Sequence, residues 1–195
     1  MTAPSVAEVE WAAVALGEAL ERAGIPYFVG GSFASSVHGL PRFTRDLDVI
    51  VDMKEAQIPG FLAAAGLDFD IDEESLREEA RRRGSWNIFH VPSMLKIDLF
   101  FLKGDPFSQS LLARRVALEI APGKRVYFAS AEDIILRKLL WYREGNHSSE
   151  QQIPDVVAIL RVKRGELDAG YLDQWAARLG IADLLARARS EAAGA

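Results

Sequence analysis

Apolar residues recur every three or four positions across residues 1–24, and this spacing predicts an amphipathic helix. Ser5, with Glu8 three positions later, forms a capping-box pattern at its start, and Ala23-Gly24 predicts its end. The same helical spacing predicts further helices at 54–65, 73–83, 105–115, 130–143, 150–163, 168–179 and 181–192.

Short apolar runs predict strands at 27–29, 46–51, 86–91, 95–102, 116–120 and 124–128. Pro92-Ser93 and Ala121-Pro122-Gly123 lie between consecutive strands and predict two hairpins. No strand is predicted after residue 129. The pattern therefore predicts an α+β protein with a sheet core over residues 1–129 and a helical C-terminal subdomain over residues 130–195 that packs against the core.

The strand at 46–51 carries two acidic residues inside an apolar run. Because strand side chains alternate between faces, Leu47, Val49 and Val51 face the core, while Asp46 and Asp48 share the other face. Neighbouring carboxylates on a largely buried strand repel each other and lose solvation. A divalent cation removes that penalty, and carboxylates together with substrate phosphates are usual ligands of Mg2+. The strand therefore predicts a metal site.

Gly30-Gly31-Ser32 separates the first strand from a short predicted helix at 33–37. Glycines permit close approach of the backbone to a ligand, and a helix start offers N–H groups and the positive end of the helix dipole. These features predict a phosphate site. Taken alone, the same three residues also fit an ordinary strand-to-helix turn.

Two motifs flank this short helix: Gly30-Gly31-Ser32, and Arg42-x-Thr44-x-Asp46-x-Asp48. Together they resemble the signature of the nucleotidyltransferase superfamily that includes DNA polymerase beta. Within it, the chain is most similar to small bacterial AbiEii toxin-like nucleotidyltransferase proteins. The resemblance implies a mixed β-sheet flanked by helices. It also implies a third carboxylate on a neighbouring strand, which Asp98 in the run Leu95–Phe101 supplies.

The resemblance implies a role for each motif residue. Asp46 and Asp48 would ligate one or two Mg2+ (or Mn2+) ions, and Asp98 would complete the metal site and act as general base. The implied nucleotide-binding residues are Gly30, Gly31, Ser32, Arg42, Thr44, Arg45 and Lys138. For the two arginines, surface salt bridges are an equal alternative. For Thr44 the alternative is a structural role that ties the loop to the strand. For Lys138 it is exposure to solvent.

The implied reaction is transfer of a nucleoside monophosphate from a nucleoside triphosphate (NTP) to a hydroxyl acceptor. The acceptor stays open among a protein, a tRNA and a small molecule such as an aminoglycoside. A toxin–antitoxin system with a cognate partner is the biological role that the resemblance suggests. The alternative from another class is a catalytically silent nucleotide-binding or regulatory module with the same fold.

Composition narrows these possibilities. The 195 residues include no cysteine, which excludes disulfides, thiolate metal ligands and thiol nucleophiles. No apolar run has the length of a membrane span, so we expect a cytoplasmic protein without a membrane partner. The formal net charge of −5 argues against general nucleic-acid binding. The run Arg81-Arg82-Arg83 is interpreted as a solvated helix end, with an RNA or phosphate contact as the alternative.

Overall fold

The computed structural model describes residues 5–41, 44, 46–145 and 151–194. They divide into two compact units. The first comprises the described residues of 1–33 and 43–129, and the second comprises those of 34–42 and 130–195. The second unit therefore contains a short N-terminal segment in addition to the C-terminal helices, which the sequence did not indicate.

The first unit contains a seven-stranded mixed sheet with the order β3-β4-β5-β2-β1-β7-β6. Its strands are β1 (Tyr27–Val29), β2 (Leu47–Val51), β3 (Phe69–Asp70), β4 (Ser85–His90), β5 (Leu95–Phe101), β6 (Val116–Ala121) and β7 (Lys124–Phe128). The pairs β2–β5 and β1–β7 are parallel, and the remaining neighbours are antiparallel. Both predicted hairpins and the mixed sheet are confirmed.

The helices of the first unit are α1 (Val6–Arg22), α3 (Ile58–Ala65), α4 (Glu73–Arg82) and α5 (Pro106–Ala113), and α2 (Gly31–His38) runs from the first unit into the second. The capping box of α1 is present: the Glu8 N–H donates to the Ser5 hydroxyl, and the Ser5 N–H donates to the Glu8 carboxylate. Helix α1 packs against α3 and the sheet, which buries its apolar side.

The predicted helix at 54–65 is divided in the structure. Residues Glu55–Gln57 form a 3₁₀ turn, and α3 begins at Ile58. Pro59 lies in the first turn of α3, where a proline's missing N–H has no intrahelical acceptor to lose. The proline therefore favours a new helix start at this point.

The second unit contains α6 (Ala131–Glu144), α7 (Gln152–Val162), α8 (Ala169–Arg178) and α9 (Ala182–Ala193), in agreement with the predicted helices. Ser130 caps α6 by accepting a hydrogen bond from the Asp133 N–H at 3.2 Å. Helix α6 packs on α7 and α8, and both of these contact α9. Among the described residues, no helix combines the length and the apolar character needed to cross a bilayer.

Candidate functional site

Burial alternates along the two strands that carry the predicted carboxylates. On β2 and β5 one face is buried in the core, while Asp48 and Asp98 lie on the other face and are only partly buried. The predicted facing of these strands is therefore confirmed. The core-facing residues are Leu47, Val49, Val51, Leu95, Ile97, Leu99 and Phe101.

The sheet register makes Asp48 and Asp98 direct neighbours. They are paired positions of the parallel strands β2 and β5. Asp46 lies just before β2, preceding the pair Leu47–Ile97, and its side chain is more exposed than that of Asp98 (55% against 17%). The fold thus brings the three carboxylates predicted from the sequence to one region of one sheet face.

A lysine that the sequence analysis missed lies among these carboxylates. Lys96 Nζ is 3.0 Å from Asp98 Oδ1 and 3.9 Å from Asp46 Oδ1. The hydrogen bond to Asp98, together with the charges of Asp98, Asp46 and Asp48, raises the pKa of Lys96 above its ordinary value, although partial burial opposes the rise. Strand alternation could have revealed it, because Lys96 is two residues before Asp98 and shares its face.

The backbone of Gly31 lies close to the side chain of Asp48. Gly31 is the first residue of α2 and has a φ of +56°, a conformation that favours glycine. A Cβ added there would lie 1.7 Å from Asp48 Oδ2. The neighbouring Gly30 N–H donates to the Asp48 carbonyl oxygen at 2.9 Å. The glycine turn and the carboxylate strand are therefore one structural assembly, and the close approach predicted for a ligand is made here by a carboxylate of the chain itself.

Thr44 ties the preceding loop to the strand. Its hydroxyl donates to the carbonyl oxygen of Asp46 at 3.1 Å, which agrees with the structural alternative from the sequence. Arg42 and Arg45, the two predicted phosphate ligands on this loop, lie outside the described residues, as does His147.

Lys138 is buried within the second unit. Its Nζ is 2.7 Å from Asp155 Oδ2 and donates to Gln152 Oε1 at 3.1 Å, and only 8% of each charged side chain of the pair is exposed. The alternative of solvent exposure is therefore wrong. Its predicted contact with a triphosphate stays a prediction.

The arginine run at the end of α4 forms salt bridges with nearby carboxylates. Arg81 pairs with Glu55, Arg82 with Glu79, and Arg83 with Asp52 at 3.0 Å. These contacts agree with the interpretation of the run as a solvated helix end.

A polar neighbour of Asp98 was also missed. Asn87 on β4 is the antiparallel partner of Asp98 and is exposed. Counting outward from the predicted hairpin turn at Pro92-Ser93 would have paired these two residues. Asn87 extends the polar row on this face from β2 through β5 to β4.

The donor set fits a hard divalent cation, but the side chains are not arranged as a finished metal site. Within the described ranges, no three His, Cys, Asp or Glu side chains are placed to hold a metal ion together. The ammonium group of Lys96 instead contacts the Asp98 carboxylate and lies 3.9 Å from that of Asp46, so the cluster already accommodates a positive charge. Carboxylate oxygens are the ligands that Mg2+ and Mn2+ prefer. The residue types therefore fit such an ion, and its binding here stays a prediction.

Comparison with solved structures identifies the fold. The chain is similar to an antigenic nucleotidyltransferase-like protein from Paracoccidioides brasiliensis, with a TM-score of 0.58 and 19% identity over 97% of this chain and 95% of that one. It is also similar to ANT(2'')-Ia in complex with adenylyl-2''-tobramycin, with a TM-score of 0.52 and 13% identity over 90% of this chain and 98% of that one. The chain therefore has the fold of nucleotidyltransferase-like proteins. Its sequence matches no protein-family model and no curated protein.

Proposed function

We propose that the chain is a metal-dependent nucleotidyltransferase that moves a nucleoside monophosphate from an NTP to a hydroxyl acceptor and releases pyrophosphate. The observation that carries this proposal is the pairing of Asp48 with Asp98 across β2 and β5, with the Asp48 carboxylate against the turn at Gly31. Carboxylates and a glycine turn are thereby brought together on one sheet face. The likeness to nucleotidyltransferase-like folds supports the same reaction class.

The three carboxylates would have different roles in the proposed reaction. Asp46, Asp48 and Asp98 would hold Mg2+ or Mn2+, which when bound offsets the charge developing on the phosphate and lowers the pKa of the attacking hydroxyl. Asp98 is less exposed than Asp46 and would accept the acceptor's proton. Thr44 would hold the backbone of Asp46 in place through their hydrogen bond.

The triphosphate would lie at the start of α2. Gly31 and Ser32 would present backbone N–H groups and a hydroxyl to its oxygens, with Arg42 and Arg45 as additional ligands. Gly30 would hold this turn against β2, because its N–H donates to the Asp48 carbonyl oxygen. Because the Asp48 carboxylate already contacts the turn at Gly31, phosphate and metal would bind side by side. Binding of either would therefore strengthen binding of the other.

The acceptor and the biological role remain parts of the proposal. A small-molecule acceptor is supported by the fold likeness to ANT(2'')-Ia, whose structure contains adenylyl-2''-tobramycin. A protein or tRNA acceptor, with a cognate partner in an AbiEii-like toxin–antitoxin pair, follows from the sequence resemblance. Growth arrest on expression, relieved by a neighbouring gene product, would distinguish the toxin role.

One observation favours a second candidate, a catalytically silent nucleotide-binding or regulatory module. Lys96 places a permanent positive charge among the carboxylates, at 3.0 Å from Asp98. In a silent module this ammonium would replace the metal, and nucleotide binding would not depend on a divalent cation.

Calorimetric titration with each NTP, with and without Mg2+, tests both candidates. We expect one NTP to bind only with Mg2+, and Asp48→Asn to weaken that binding at least about tenfold, because a carboxylate ligand of the metal is lost. The matched control is Glu18→Gln, which removes an ion-paired carboxylate that contacts Lys124 on β7. Metal-independent binding would support the silent module, and no binding of any NTP would overturn both candidates.

A further inference from the structure

Lys96 lies where a divalent cation would compete with it. Its ammonium group contacts Asp98 Oδ1 at 3.0 Å and lies 3.9 Å from Asp46 Oδ1. The strand register places Asp48 beside Asp98 on the same face, and the Asp48 charge also acts on Lys96. Lys96 therefore interacts with all three carboxylates proposed to hold the metal.

We propose that Lys96 is an internal counter-ion of the metal site: it neutralises the carboxylates in the metal-free protein and must withdraw for a divalent cation to bind. This inference rests on the metal site of the proposed function and adds a residue that sets its metal affinity. Lys96 is thus a positioning residue that acts through Asp46, Asp48 and Asp98.

Competition follows from the shared ligand. An ammonium hydrogen and a metal ion both bind carboxylate oxygen, and Asp98 Oδ1 carries the lysine contact. Two positive charges within about 4 Å repel each other appreciably near a protein surface. The metal therefore gains its carboxylates only as the lysine leaves them.

Withdrawal is compatible with the place of Lys96 on β5. Its side chain is 38% exposed, so the long flexible stem has access to solvent. The strand itself is held by the buried neighbours Leu95 and Ile97 on its opposite face. The lysine can consequently move without disturbing the sheet that carries Asp98.

The sheet also provides a matched lysine that contacts no carboxylate of the metal site. Lys124 on β7 pairs with Glu18 of α1 at 2.6 Å, and its side chain is 53% exposed. Lys124→Met removes the same charge from the same unit and also breaks one ion pair. A difference in Mn2+ affinity between the Lys96 and Lys124 variants is therefore due to the position of Lys96 beside the carboxylates, and not to the loss of one positive charge.

The experiment measures Mn2+ binding to the full chain by electron paramagnetic resonance, without nucleotide. We expect Lys96→Met to bind Mn2+ about tenfold more tightly than the wild type, because the competing charge is gone. Lys124→Met should match the wild type. Lys96→Arg keeps the charge and should keep the weaker affinity. If Lys96→Met does not fold, Lys96→Gln serves the same purpose.

Thermal unfolding supplies a readout independent of metal titration. In EDTA, Lys96→Met should melt at a lower temperature than Lys124→Met, because three carboxylates lose their shared counter-ion. Saturating Mn2+ should close that gap. If Mn2+ raised the melting temperature of Lys124→Met by as much as that of Lys96→Met, the inference would be contradicted.

The outcomes separate this inference from the proposed function. If the wild type binds Mn2+, Asp48→Asn loses it, and Lys96→Met binds equally or more weakly, then the metal site stands and the counter-ion role of Lys96 is overturned. If neither the wild type nor Lys96→Met binds Mn2+, then the metal-dependent function and the inference are both overturned.

Discussion

The Asp48 carboxylate lies against the α-carbon of Gly31, so closely that a Cβ at residue 31 would be 1.7 Å from Asp48 Oδ2 and 2.6 Å from its Cγ. Gly31 also has a φ of +56°, which is strained for residues with a side chain. Two independent constraints therefore require glycine at this position. One is conformational, and the other is the space that the carboxylate occupies.

We predict that Gly31→Ala destabilises the protein by about 3 kcal/mol, because left-handed strain of about 1–2 kcal/mol is joined by displacement of Asp48. Metal-dependent NTP binding should be lost together with the position of Asp48. Urea denaturation and calorimetric titration measure the two effects.

Gly24→Ala is the control for this prediction. Gly24 has a φ of +65°, and no atom lies within 4 Å of its added Cβ, so it carries the backbone strain without the collision. In an Asp48→Ala background, the cost of Gly31→Ala should fall, because the 1.7 Å and 2.6 Å contacts disappear. Equal destabilisation by Gly31→Ala and Gly24→Ala would show that the carboxylate does not constrain the turn.

Thr44 offers a test of how the loop presents Asp46. Thr44→Val removes the hydrogen bond to the Asp46 carbonyl oxygen and should cost about 1 kcal/mol of stability. Because Asp46 lies outside the hydrogen-bonded part of β2, we expect Mn2+ affinity to fall as well. Thr44→Ser keeps the hydroxyl and should retain both properties. Unchanged Mn2+ affinity in Thr44→Val would mean that the tie does not position the metal ligand.

The Lys138–Asp155 pair predicts a larger effect within the second unit. Both side chains are buried, so Lys138→Met leaves the Asp155 charge without this counter-ion and should cost about 3–5 kcal/mol. The double variant Lys138→Met/Asp155→Leu should recover much of that loss, because no charge remains buried at the pair. Chemical denaturation of the full chain measures both.

Lys163→Met is the comparison, since Lys163 pairs with Glu166 at 3.0 Å near the surface of the same unit. An exposed pair of this kind contributes about 0–1 kcal/mol. If Lys138→Met lowered the free energy of unfolding no more than Lys163→Met does, burial of the Lys138–Asp155 pair would make no measurable contribution to stability.

Strand alternation explains why much of the candidate site was predictable. The apolar rows on β2 and β5 have a period of two, so the sequence alone indicated the faces of Asp48 and Asp98. The same rule places Lys96 on the face of Asp98, but a pattern of acidic ligands does not by itself indicate a cation among them. Its contact with Asp46 depends on the parallel register of two strands far apart in sequence, which local patterns do not determine.

The burial of Lys138 was not predictable for a related reason. Its position on α6 was correct, but its burial depends on how α6 packs against α7, and its partner Asp155 lies on that second helix. Helical periodicity indicates which residues share a face, and it does not indicate which charge will meet them across a packed interface. Similarly, the sequence predicted that Gly31 allows a ligand to approach the backbone. The structure adds a second reason for glycine at this position, which is the space occupied by the Asp48 carboxylate.

His90 predicts a pH dependence of stability. Its ring is buried at the end of β4. The centroid of the ring is 5.0 Å from that of Trp11, which is edge-on, and 5.1 Å from that of Phe69. Nδ1 is 2.7 Å from the Ser93 hydroxyl. Among the described residues, Nε2 has no hydrogen-bond partner. Burial lowers the pKa of His90 below its ordinary 6.5, although the charge of Asp68 opposes the shift.

The lowered pKa means that the unfolded chain binds a proton more readily than the folded one. Stability from the neutral ring is therefore complete above about pH 6.5 and falls, by at most about 1.4 kcal/mol per pH unit, as the pH drops toward the folded pKa. Urea denaturation between pH 8 and pH 5 should show this decline in the wild type and a flatter profile in His90→Gln. Parallel stability profiles for the wild type and His90→Gln would show that the pKa of His90 is the same in the folded and the unfolded chain, which would contradict this prediction.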